Sequence, residues 1–137
     1  MLRHRPAAVA LVAWTFFVWT TRIANIWRDG SLSTGEQVGR TALALSFTLL
    51  AVAVLATLWR GSATLSRLAL GALAGWSVAV WVVRDIRIAL GDHDAGFVIV
   101  HVVLGVVSVI LAALAWREAR RVPVDGASAS PSLSRAG

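Results

Sequence analysis

Nineteen consecutive residues, Thr41 to Trp59, carry no charge. A run of that length has few ways to exist. About 20 apolar residues in a helix cross the hydrocarbon layer of a bilayer. A helix also satisfies its own backbone groups where no water can do so. The chain repeats the pattern. Ala7–Trp27, a stretch ending near Leu90 and a stretch beginning near Ala95 are each apolar and each bracketed by arginine. These runs predict an all-α fold, a four-helix transmembrane bundle with helices at about 7–27, 34–60, 65–90 and 95–121. The bundle would occupy residues 1–122 as one domain, with 123–137, rich in Ser, Ala, Gly and Pro, as a disordered tail.

Local signals set the boundaries. Ser33 and Glu36 have capping-box spacing, in which each side chain satisfies a free backbone N–H at a helix start. Gly91 is a natural stop and Asp94 a natural N-cap. The first run competes with a signal peptide, since it follows a basic lead. Its length, its aromatic residues Trp14, Phe16, Phe17 and Trp19, and the lack of a small-x-small cleavage site favour a retained helix.

Composition narrows the chemistry. Hydrophobic residues make up 58% and charged residues 15%, which is membrane-like. The absence of Cys excludes disulfides, thiolate metal sites and cysteine catalysis. The formal charge is +6 and all 13 basic residues are arginine. A basic chain can bind nucleic acid, but here the arginines bracket apolar runs instead of sharing a polar face. They read as membrane anchors, so the expected partner is the lipid bilayer and not nucleic acid.

Four spans place the N-terminus, the 60–67 turn and the tail on one side, with eight arginines against two acids. The other side has five arginines against five acids. Arginine excess marks the cytoplasm. The expected location is therefore the cytoplasmic (inner) membrane, multi-pass, with both termini cytoplasmic and the 28–40 and 91–94 loops outside.

The arginines also serve as rulers. Arg5 to Arg22 and Arg67 to Arg84 each span 17 residues, and His101 to Arg117 spans 16. At about 1.5 Å per residue, three helices place an ionisable group at a common depth, roughly 24–26 Å from the inner boundary. Asp85 adjoins that layer, and Asn25 and Arg87 lie about one turn further out. Arginines near helix ends can simply snorkel to the headgroups. Alternatively Arg22, Asn25, Arg84, Asp85, Arg87 and His101 converge as a ligand-binding site, because charges buried in a bundle are paired or functional. Helical spacing puts Trp76, Val80, Arg84 and Arg87 on one face, and Phe97, His101, Gly105 and Ser108 on another.

Other chemistries find less support. Asp92, His93 and Asp94 are metal-ligand types, but turn and cap roles explain the two aspartates, so no metal site is expected. One histidine within a span cannot make a bis-His haem site, and no cofactor is expected. Ser77 and Ser108 lack a base and an orienting group, so no catalytic residue is assigned. No chain of carboxylates crosses the membrane, against a single-subunit pump or channel. Gly71-x-x-x-Gly75 is a small-residue packing motif, expected to serve the bundle.

Two segments, T-R-I-A-N-I-W (Thr21–Trp27) and R-D-I-R-I-A-L-G-D-H-D-A-G-F-V-I-V-H-V-V-L (Arg84–Leu104), resemble small four-span integral membrane proteins of actinobacteria that have no assigned activity. The resemblance covers most of the chain outside the tail. It implies the four-span layout and carries over no functional residue. The chain is also similar to DoxX-like four-helix proteins, in size and layout alone.

The expected function is thus a non-enzymatic accessory or structural membrane component, with a membrane-protein partner or a second copy as the macromolecular partner. The alternative is a binding module or small transporter-like protein for an anionic lipid, quinone or small solute. A redox or enzyme subunit is the second alternative.

Overall fold

The computed structural model describes residues 5–121; the basic lead before Arg5 and the expected tail at 123–137 lie outside the described residues. Four helices follow in order: α1 (Pro6–Arg28), α2 (Thr34–Arg60), α3 (Ala63–Leu90) and α4 (Ala95–Arg120). Each is long and apolar enough to cross a membrane. With 23 to 28 residues apiece, they run about 35–42 Å, beyond the roughly 30 Å hydrocarbon layer. Consecutive helices pack side by side, and α4 closes the ring against α1.

Each helix start shows how its free N–H groups are met. The Ser33–Glu36 capping box opens α2, with each residue bonding the other's backbone N–H. Ser62 accepts from the Leu65 N–H at 3.3 Å, so α3 begins at Ala63, slightly before the predicted position. Asp94 accepts from the Phe97 N–H at 3.0 Å and opens α4. Pro6 starts α1, where its missing N–H costs nothing. Arg5 gives that helix no side-chain cap. Instead the Ala8 N–H donates to the Glu118 carboxylate of α4 at 3.0 Å. A carboxylate there suits the positive end of the helix dipole and ties the first helix to the last. Between α2 and α3, Gly61 takes a left-handed conformation with φ 71° that favours glycine.

The bundle has two ends. The proximal end holds Pro6, the Gly61–Ser62 turn and Arg120, and the distal end holds the 29–33 and 91–94 loops. The proximal half is packed with small and aliphatic residues: Ala8, Leu11, Leu70, Leu73, Ala112 and Ala115 are all essentially inaccessible. Small residues let helix backbones approach closely. At Gly71 an added Cβ would lie 2.7 Å from the Trp116 ring of α4, so this half of the small-residue motif serves packing within the bundle. Near mid-depth, Trp19 of α1 stacks on Phe47 of α2, with ring centroids 4.0 Å apart.

The perimeter is apolar. Trp59, Leu49 and Leu68 are 86%, 68% and 66% exposed. In water such a surface would drive association. Against acyl chains it is matched to its solvent, which points to a multi-pass membrane protein.

Candidate functional site

The distal half is built differently. Arg22 sits on α1 and Arg84 on α3, both half-buried. Two lateral crevices meet at this pair. The first, about 310 Å³, opens between α1 and α4, and Arg22, Asn25, Arg84 and His101 line its polar part. Phe17, Trp19 and Leu104, about one turn deeper, line its apolar part. The second, about 590 Å³, opens between α2 and α3 on the opposite side of the ring. Its polar part holds Arg22, Arg40, Arg84, Arg87 and His93, and its apolar part Leu43, Trp76, Ala79, Val80 and Val83.

The charges in these crevices have one sign. No acidic side chain among the described residues lines either one. The only ion pair among the described residues joins Arg40 to Glu36 at 3.7 Å, one turn apart on the exposed start of α2. Arg84 Nε is buried with no hydrogen-bond partner among the described residues. Its guanidinium carbon lies 6.0 Å from the Trp81 ring centroid, at the outer limit of a cation–π contact.

His101 is buried on α4. Its Nδ1 lies 2.8 Å from the Phe97 carbonyl, which can only accept, so Nδ1 carries the proton and Nε2 is left for other partners. Phe97 of α4 is sandwiched between His93 of the preceding loop, at 5.0 Å, and His101 of its own helix, at 4.0 Å between centroids. Phe97 and His101 are i, i+4 neighbours on α4, and Phe97 lines both crevices.

Five of the six sequence-predicted site residues thus line the crevices: Arg22 and Arg84 both of them, Asn25 and His101 the first, Arg87 the second. Asp85 does not join them. Neighbouring helical positions are about 100° apart, so Asp85 leaves α3 on another face than Arg84. Its carboxylate lies against Gly105 of α4, where an added Cβ would overlap it. It lines a separate apolar crevice with Val82, Ile86 and Val106, and its Oδ1 is buried without a hydrogen bond. Gly105, which helical spacing puts on the His101 face, therefore admits a carboxylate of α3.

Two residues of the second crevice, Arg40 and His93, were not in the predicted ligand-binding set. Arg40 precedes the apolar run of α2, and His93 sits in the α3–α4 loop. Their signal was present as basic residues bordering the same end. Of the loop residues, Asp94 caps α4 and His93 stacks on Phe97. Among the described residues, no group of three His, Asp or Glu could hold a metal ion. Two serines within the spans serve aromatic side chains, while Thr15, Thr48 and Thr57 bond backbone carbonyls of their own helices. Trp14 Nε1–H donates to Ser108 Oγ at 2.9 Å, and Trp76 Nε1–H to Ser46 Oγ at 3.0 Å.

The arrangement can receive an anion. Guanidinium groups bind phosphate or carboxylate oxygens through charge-assisted, often paired hydrogen bonds. No protein family model, no curated protein and no solved structure matches this chain.

Proposed function

We propose that this is a membrane binding protein that holds an anionic group between Arg22 and Arg84, and that it has no catalytic role. The observation that carries this reading is the sign of the site. Two half-buried arginines face shared cavities that no carboxylate lines among the described residues. A structural or accessory role would be served by arginines paired with acids or snorkelled into the headgroups. Unpaired charge away from water is expensive, and an anion from outside the chain offsets that cost. With the arginine-rich proximal end taken as cytoplasmic, the site faces the extracytoplasmic leaflet.

Native mass spectrometry of protein extracted gently from its own membranes tests the proposal. The expected result is one anionic adduct per chain, retained by the wild type and lost in Arg22→Ala and Arg84→Ala. Bare wild-type protein, or an adduct equally retained by both variants, overturns it.

A further inference from the structure

We infer that the anion is the phosphate of a bilayer phospholipid, which enters sideways through the α2–α3 crevice. The inference rests on the anion-binding reading above and names its ligand class. Three observations support it. The crevice is graded along the bundle axis. Arg40 and Arg87 lie near its distal end, and Trp76 lies 11 residues before Arg87 on α3. At 1.5 Å per residue that is about 16 Å of depth. The gradient has the polarity of a lipid in that leaflet, with its charged head outward and its chain toward mid-membrane.

The crevice also opens to the side. Val83 and Trp76, which line it, are 54% and 40% exposed on the perimeter that faces acyl chains. A soluble anion needs only a polar mouth, whereas this strip of Trp76, Ala79, Val80 and Val83 continues well below the arginines. Finally, size and charge agree. About 590 Å³ accommodates a phosphodiester head and the upper part of one chain. Four arginines and no lining carboxylate among the described residues select a net negative head over a zwitterionic one.

Tryptophan quenching reads this directly, because Trp76 lines the crevice. Delipidated protein in maltoside micelles is titrated with phosphatidylglycerol brominated on its acyl chains. Parallel titrations use equally brominated phosphatidylcholine and inorganic phosphate. Perimeter tryptophans such as Trp59 respond alike to both lipids. The expected result is an additional saturable quenching with the anionic lipid, weakened at least tenfold in Arg84→Gln and absent in Trp76→Phe. Circular dichroism and melting confirm that the variants are folded.

Inorganic phosphate that stabilises the wild type but not Arg84→Gln, without any lipid-specific quenching, overturns the lipid and keeps the anion site. No response to either probe overturns both. Lipid-specific quenching that survives in Trp76→Phe overturns the placement in this crevice.

Discussion

The two halves of this bundle use the same four helices for opposite ends. In the proximal half, alanines and leucines fill the centre of the bundle and Trp116 seats against Gly71, with an apolar groove of about 550 Å³ left on the α3–α4 flank. In the distal half, aromatic rings pack between the helices while two cationic crevices stay open beside them. The helices are continuous through both halves, so the difference lies in side chains alone. Close packing of small residues supplies cohesion in a medium where lipid offers no hydrophobic drive to association. Cohesion at one end lets the other end carry unpaired charge and open space.

Four substitutions test that division. The largest effect is expected in the proximal core. Leu70→Ala removes a fully buried side chain and should cost about 2–3 kcal/mol, the lower part of the range for such cavities, because the bilayer supplies no water-transfer term. Unfolding in mixed micelles measures it, and anion binding should persist where the variant is folded. A loss below about 0.5 kcal/mol would break the assignment of cohesion to this half.

Next comes Gly105→Val, which must displace the Asp85 carboxylate. Overpacking of this kind costs about 1–3 kcal/mol. Combining it with Asp85→Ala should restore most of the loss, as a double-mutant cycle would read. Asp85 lines neither cationic crevice, but its carboxylate is a nearby counter-charge of Arg84 and His101, so anion affinity should rise in the double variant.

Glu118→Gln weakens the cap that α4 gives α1. A charged cap and its dipole interaction are together worth about 1 kcal/mol. Faster amide exchange confined to the first turn of α1 is the expected signature. Uniform loss of protection would place the cap within the global core instead.

The smallest effect is expected for Glu36→Gln, which removes the exposed pair with Arg40. Exposed pairs of this kind contribute little, because water and salt screen them. Stability should barely move, while anion affinity should rise slightly as Arg40 loses its local counter-charge. A fall in affinity would show that Arg40 is held in place by Glu36.

Much of this was legible in the residues. Run lengths and arginine brackets gave four helices, and Ser33, Glu36, Gly91 and Asp94 marked their ends, since caps are local chemistry. Depth was legible too: equal spacing from proximal arginines placed Arg22, Arg84 and His101 in one layer, and they line one crevice. What spacing along a helix cannot give is rotation about its axis relative to neighbours. Asp85 fits the depth and faces Gly105 instead. Arg40 belongs to the layer through the ring order of the helices, which no single run encodes. The Glu118–Ala8 bond joins residues 110 positions apart, and only tertiary closure brings them together.

The central claim is that the distal arginines serve a ligand and the proximal core serves the fold. Melting of wild type and Arg84→Ala in neutral detergent, each with and without phosphatidylglycerol, tests it most directly. Without the lipid, the variant should melt at or above the wild type, since it loses a half-buried charge that forms no ion pair among the described residues. With the lipid, only the wild type should gain. A variant that melts well below the wild type without lipid, beside a wild type indifferent to lipid, would make Arg84 a structural residue and contradict the account.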